Sequence, residues 1–295
     1  MTGIVQQQSS IWIWPRTQMS ESSSKGYKFV EEFFDTYYAP FRTLYFCRGR
    51  VAITAILEAI GASRNDLVFI QPFSSYCVQS AVSRVATPLT IHPEESKYQI
   101  VYHNFGKKSI ADKTFFNNVV IEDSVDSLIT SNEEEELFPN GGDYAVFSLA
   151  KLIHVPFGSI VVCRTNEAYE RLKQTNIRKL SLGGEDLLIK EVFTDSVLLN
   201  NSTMISSILN LKALETMFED SVSTIQHNVR SISEITGCDY TDSKRLPSNV
   251  FSLKGFPEDL YKEYNVEVRE RHIYDYKNVK CLNVHMFPVH TDIKL

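Results

Sequence analysis

No run of about 18 consecutive apolar residues, the length a membrane-crossing helix needs, occurs in this sequence of 295 residues. The start of the chain also lacks a basic segment followed by an apolar core, since Gln6 to Gln8, Ser9 and Ser10 stand where a leader would lie. Both absences lead to the expectation of a cytoplasmic chain without a membrane partner. Cysteine is sparse: Cys47, Cys77, Cys163, Cys238 and Cys281 are scattered, odd in number and never in a C-x-x-C pair. That argues against a disulfide framework and a zinc site, and reads as reduced thiols. No Lys/Arg-rich run appears and the net charge is -6, so the basic footprint of a nucleic-acid binder is missing. The motifs G-x-S-x-G and G-x-x-x-x-G-K-[ST] are absent, which removes serine hydrolases with a nucleophile elbow and P-loop nucleotide binders. No two histidines have metal-binding helical spacing beside an acidic partner, so no metal centre is expected. His103, His285 and His290 are read as structural or surface residues.

What is present is the composition of an ordinary globular protein, 43% hydrophobic and 22% charged, in a chain long enough for one large domain or one large and one small. Residues 1 to about 26 are polar and Ser-rich, with Trp12 and Trp14 as an isolated aromatic pair, and read as an arm. Tyr27 to Tyr38 has the spacing of an amphipathic helix. Strand-like Leu44 to Cys47 leads through Arg48, Gly49 and Arg50 into a helical pattern from Ile53 to Ile60, stopped by Gly61. Leu67 to Ile70 reads as a buried strand, Cys77 to Val85 as a helix, and Pro88 to Ile91 and Gln99 to Tyr102 continue the alternation, with His103 to Gly106 as a loop. Such βα alternation implies a mainly parallel sheet. The acidic run Glu133 to Glu136 is read as a solvated loop. Glu167 to Leu172 reads as a helix, Gly183 and Gly184 open a variable segment, and Met204 to Ile235 is the longest helical stretch. Beyond Gly237, Val250 to Leu253, Val266 to Arg269 and Lys280 to Val284 read as short strands. The division expected is an arm and helix over 1–45, a large domain over 46–203, a connecting helix over 204–236 and a small C-terminal α+β domain over 237–295.

The stretch from Val119 to Cys163 carries the chemistry. Val119, Val120 and Ile121 are a β-branched run typical of a central strand buried on both faces, followed by Glu122 and Asp123 at its C-terminal end. In open α/β sheets ligands sit at that end. A second strand, Tyr144 to Phe147, runs into Ser148 and Lys151, and Ile160 to Val162 suggests a hairpin partner. A carboxylate and a lysine thus converge at one sheet edge. Upstream, Gly49 at the mouth of a helix offers backbone N–H groups and the positive end of a dipole to an anion. Together these support one cofactor, pyridoxal 5'-phosphate. Lys151 would hold it as a Schiff base, and Asp123 would keep its pyridine nitrogen protonated. The amides near Arg50, Val51 and Ala52 and the Ser148 hydroxyl would hold its phosphate, and Tyr76 would stack on its ring.

Through GRVAITAILEAIGASRNDLVFIQPFSSY, VYHNFG, VIEDSVDSL and GDYAVFSLAK, the chain resembles the DegT/DnrJ/StrS-type sugar aminotransferases of aspartate-aminotransferase fold, fold type I. The resemblance implies a three-layer α/β/α large domain with a mainly parallel mixed sheet. It also implies a cytoplasmic homodimer that transfers an amino group, usually from glutamate, to a keto sugar carried on a nucleotide. By position, Lys151 matches the Schiff-base lysine, Asp123 the pyridine-nitrogen partner, Ser148 and the amides of Arg50 and Val51 the phosphate contacts, and Tyr76 the ring stacker. Several features depart from the family. Asp126 stands where it usually has Gln or His near the cofactor's phenolic oxygen, and Ser148 precedes Lys151 by three residues. Gly158-Ser159 replaces a glycine pair, and Asn200-Asn201 are a remnant of the motif that crosses the dimer. The C-terminal part is short and ends soon after Pro288-Val289-His290. These departures keep a second reading open, an aminotransferase-like protein of lost or altered activity that acts as a binding module.

Overall fold

The computed structural model describes residues 28–46, 48–71, 74–103, 106–111, 119–153, 158–181, 211–237, 244–252, 255–263, 266–274 and 279–288. The expected arm with Trp12 and Trp14, Gly183 and Gly184, Asn200-Asn201, the stretch from Met204 to residue 210, and His290 lie outside them.

Seven strands form one mixed sheet: β1 (Arg42–Phe46), β2 (Leu67–Ile70), β3 (Thr87–Leu89), β4 (Tyr98–Tyr102), β5 (Val119–Asp123), β7 (Tyr144–Ser148) and β8 (Ser159–Cys163). Their order is β1-β8-β7-β5-β4-β2-β3. The strands β3, β2, β4, β5 and β7 run parallel, and β8 is antiparallel to both β7 and β1. Two reversals leave β1 parallel to β7, so the C-terminal ends of β1, β2, β4, β5 and β7 share one edge with the start of β8.

Side chains alternate across the central strands, as the pleat requires. On one face Leu44, Phe46, Ile121, Tyr144, Val146, Val161 and Cys163 pack with α2 (Gly49–Ala59), α3 (Tyr76–Ser83) and α6 (Asn166–Ser181). On the other, Tyr45, Ala145, Phe147, Ile160 and Val162 pack under α1 (Lys28–Tyr37) and α7 (Leu211–Thr236). The result is the three-layer α/β/α arrangement expected. Phe33, Phe34 and Tyr37 of α1 surround Phe218 of α7, with ring centroids 5.3, 5.8 and 4.7 Å from it, and this aromatic cluster joins the two helices.

The remaining elements attach to this frame. The short β6 (Ser127–Ile129) pairs with β9 (Arg245–Pro247), and β10 (Asn249–Ser252), β12 (Val279–Pro288) and β11 (Glu267–Tyr274) form a three-stranded antiparallel sheet, with α8 (Glu258–Glu263) between β10 and β11 in the chain. Two local expectations are corrected. The helix expected from Ile53 begins at Gly49, because the Val51 and Ala52 amides already close on the Arg48 carbonyl at 3.0 Å. The acidic run is not a loop: α4 (Glu134–Leu137) is one helical turn, and Glu136 is drawn inward to Lys108 at 2.6 Å. Between β7 and β8, α5 (Leu149–Leu152) is also a single turn.

Candidate active site

The shared strand edge encloses a cavity of about 290 Å³. Its wall takes Arg48, Gly49 and Arg50 from the start of α2, Ser74 and Ser75 from the segment after β2, and Tyr102 from the end of β4. Asp123 comes from the end of β5, and Ser148, Lys151 and Gly158 come from the turn between β7 and β8. Strand register sets these neighbours: Tyr102 lies opposite Asp123, Asp123 opposite Val146, and Ser148 opposite Ser159. A ligand in this cavity therefore meets groups from five separate parts of the chain.

Asp123 is 1% exposed. Among the described residues its one side-chain hydrogen bond is a long one, accepted from the Val125 amide at 3.4 Å. Burial pushes its carboxyl up to about 7, Lys151 works against this, and Asp126 adds to it. A buried carboxyl with so few partners, facing a cavity, is built to receive a cationic or proton-sharing nitrogen. Ser148 caps no helix with its hydroxyl. Of the α2 amides, Val51 and Ala52 are committed to Arg48, and the residues of the helix start that line the cavity are Gly49 and Arg50.

Lys151 stands on α5 with its side chain half exposed, and its Nζ donates to Asp126 Oδ1 at 2.8 Å. Desolvation would lower its basicity, yet Asp126, joined by Asp123 and Cys77, holds the ammonium above the usual lysine range. Tyr102 donates its hydroxyl to Asp126 Oδ2. Asp126, Lys151 and Tyr102 thus form one hydrogen-bonded set beside Asp123.

Behind the site, alternation along β5 sends Glu122 away from the cavity into a sealed network. Its carboxylate accepts from the Asn140 amide at 2.9 Å, the Asn140 side chain at 2.9 Å and the Gly142 amide at 3.1 Å. His103, fully buried, accepts the Ser109 amide on Nδ1 at 3.1 Å, so its other nitrogen carries the proton and donates to Glu122 at 3.0 Å. Burial lowers the basicity of His103, in opposition to Glu122, and the ring serves as a neutral strut. The expectation of a structural role for His103 holds. Among the described residues no group of three or more His, Cys, Asp or Glu is placed to hold a metal ion.

Of the expected site residues, Lys151, Asp123, Ser148 and Arg50 line the cavity. Asp126 joins them through Lys151. Val51 and Tyr76 are not brought to the wall. Val51 is buried with its amide given to Arg48, and Tyr76, at the first position of α3, is 78% exposed while its neighbours Ser75 and Cys77 face inward. Sequence reading missed Tyr102 and Arg48. The signal for Tyr102 was available, since it ends the strand next to Asp123; that for Arg48 was its place one residue before the helix glycine.

The geometry fits pyridoxal phosphate: an amine for its aldehyde carbon, a buried carboxyl for its ring nitrogen, and a hydroxyl with helix-start amides for its phosphate. With the sheet order, this defines the class, a pyridoxal-phosphate enzyme of fold type I. The family model described as "Putative PLP-dependent aminotransferase" matches residues 30–294, and the chain belongs to that family of PLP-dependent aminotransferases. Solved structures share the fold. A structure from Streptococcus pneumoniae described as a "putative sugar aminotransferase", in its PMP form, superposes with a TM-score of 0.63 at 16% identity, covering 94% of this chain and 88% of that one. A DegT DnrJ EryC1 StrS aminotransferase from Brucella abortus gives 0.59 at 14%, covering 88% and 84%. DesV from S. venezuelae gives 0.56 at 13%, covering 91% and 85%. No curated protein sequence matches the chain.

Proposed function

We propose that this aminotransferase passes an amino group from glutamate to a keto sugar, carried on a nucleotide, and acts as a homodimer in the cytoplasm. The observation that carries the reading is the convergence of Lys151, Asp123 and Ser148 with the α2 start around one cavity. Two structures of like fold, one described as a "putative sugar aminotransferase" and the other DesI in the presence of its TDP-sugar product, support the substrate class. When bound, pyridoxal phosphate supplies the electron sink that stabilises a carbanion at the substrate carbon.

The chain's own residues divide the remaining work. Asp123, in its apolar floor, shares a proton with the ring nitrogen and fixes the ring's orientation. Ser148 and the first-turn amides of α2, flanked by Arg48 and Arg50, hold the phosphate. Lys151 provides the amine that bonds the cofactor and, once released, moves a proton at the substrate carbon. The wider division into an arm, a large domain to 203, a connecting helix and a small domain from 237 belongs to the same proposal.

The test is chemical. Protein incubated with excess pyridoxal phosphate and borohydride should carry a phosphopyridoxyl group on Lys151 by peptide mass spectrometry, and Lys151→Ala should carry none there. A label on another lysine removes the assignment. Glutamate added to loaded protein should yield 2-oxoglutarate in one stoichiometric turnover, and a keto sugar nucleotide should regenerate the starting form. Failure with glutamate alone redirects the donor, not the cofactor site.

A further inference from the structure

We infer that Asp126 is a positioning residue for Lys151: it clamps the amine at the cavity as an ammonium group, so that the amine captures cofactor and removes protons only as rising pH dissolves the ion pair. The inference rests on reading the cavity as the cofactor site. Lys151 stands on a single helical turn with its side chain half exposed, and a long flexible side chain in that setting needs a partner to fix where its nitrogen lies. Asp126 is that partner, its Oδ1 lying 2.8 Å from Nζ. It is itself anchored twice: the Tyr102 hydroxyl donates to Oδ2, and the Asp126 carbonyl oxygen accepts the Ser248 amide at 2.9 Å.

The groups around the amine set the direction. Asp123 and Asp126 come from the end of β5 and the turn after it, Tyr102 from β4, Cys77 from α3, and Arg48 and Arg50 from the start of α2. Desolvation and the two arginines favour the neutral amine, whereas the two carboxylates, with Cys77 acting in the same direction, favour the ammonium and prevail. Asp126 is in direct contact and its side chain is only 14% exposed, so water screens the pair weakly. Asp123, pushed up to about 7, is ionised at the alkaline pH where a lysine titrates, and its charge adds to that of Asp126. Both uses of Lys151 need its electron pair. In capture, the neutral nitrogen attacks the aldehyde carbon, a C=N bond forms and the carbonyl oxygen leaves as water; in proton removal, the same pair takes the proton from the substrate carbon. The extra proton of the ammonium must first pass to solvent, which ends the charge pair with Asp126. Each use therefore rises with pH to a midpoint that Asp126 moves upward.

The experiment measures the pH midpoint for acetylation of Lys151 by a trace of acetic anhydride, on the full chain freed of cofactor, with peptide mass spectrometry as the readout and exposed lysines of the same digest as internal standards. The Lys151 midpoint should lie above theirs in wild type, fall by about one pH unit in Asp126→Asn, and return in Asp126→Glu. An Asp126 with a merely structural role would leave that midpoint in place. With excess pyridoxal phosphate, the initial rate of borohydride-trapped labelling on Lys151 should follow the same order, its midpoint lower in Asp126→Asn than in wild type. A wild-type acetylation midpoint at or below that of the exposed lysines overturns the inference without any variant having to fold. An unchanged midpoint in Asp126→Asn, or one in Asp126→Glu no higher than in Asp126→Asn, overturns it as well. A shifted acetylation midpoint with an unshifted trapping profile overturns the pH limit on capture. No trapping at any pH, with acetylation as expected, overturns the cofactor-site reading and the limit on capture with it, and leaves Asp126 as the residue that keeps Lys151 charged.

Discussion

At the scale of single residues, Asp123 shows how a site can cost stability. Its carboxyl is buried, with one long hydrogen bond, and is pushed up to about 7 mainly by desolvation. Between the ordinary aspartate range and about 7 the folded chain binds a proton that the unfolded chain has released. Stability therefore falls as pH rises through that window, and the loss is complete above it. Asparagine of the same shape has no such charge. The cofactor-free Asp123→Asn protein should exceed wild type in unfolding free energy by about 2–4 kcal/mol near pH 8, since each tenfold difference in proton affinity between the folded and unfolded chains corresponds to about 1.4 kcal/mol, and by almost nothing near pH 4. Urea unfolding at the two pH values measures this. An equal gain at both would rule out ionisation as the cause. Under the function proposed above, the same variant should also bind cofactor more weakly, having lost the carboxyl assigned to share a proton with the ring nitrogen.

At the scale of elements, much of the frame was legible because burial on both faces leaves a plain signature. Leu67–Ile70, Tyr144–Ser148 and Ser159–Cys163 are strands where apolar and β-branched runs stand between turn residues, and Asp123 falls at the strand end where the pattern puts it. Less legible was what tertiary contact decides. Whether Tyr76 faces in or out depends on how α3 is rotated, and the helical turn at Glu134–Leu137 depends on Lys108 arriving from a distant loop. The Tyr102–Asp126 contact is a consequence of strand register, which local pattern does not specify.

The junction behind Asp126 shows the same dependence and can be tested. Gly106 has φ +75, and a Cβ there would lie 2.7 Å from Pro247 Cα and 2.9 Å from the Asp126 carbonyl oxygen. That oxygen also accepts the Ser248 amide at 2.9 Å. Gly106→Ala must therefore strain its own backbone and push the backbone at Asp126 away from the β9 segment. The expected cost is about 2–4 kcal/mol. Calorimetry should show weaker cofactor binding even where the variant remains folded, and unchanged binding in a destabilised variant would separate this junction from the site.

At the scale of the whole molecule, the question is what joins the C-terminal strands to the large sheet. One apolar core runs through both, since Leu246, Val250 and Leu260 pack in the cluster that contains Phe147, Leu149 and Phe218. Into it is set Arg245, 2% exposed, which donates to Ser124 Oγ at 3.3 Å, to Ser127 Oγ at 3.5 Å and to the Glu136 carbonyl. A single side chain thus binds β9 to the segment after β5, to β6 and to α4, and the Lys244–Glu133 ion pair at 2.7 Å reinforces it from outside. The outer pair is exposed and contributes little, whereas truncating the buried guanidinium leaves a cavity and three acceptors without their donor. Arg245→Ala should lower stability by about 3–5 kcal/mol, and Lys244→Ala by about 0.5 kcal/mol or less. Cooperativity should change too. Hydrogen exchange in rising denaturant should release β5 and β12 amides together in wild type, but β10 to β12 before β5 in Arg245→Ala, because the buried guanidinium that ties β9 to the segment after β5, to β6 and to α4 is gone. Simultaneous release in the variant would show that the shared core, and not Arg245, couples the C-terminal sheet to the edge where Asp126 and Lys151 meet.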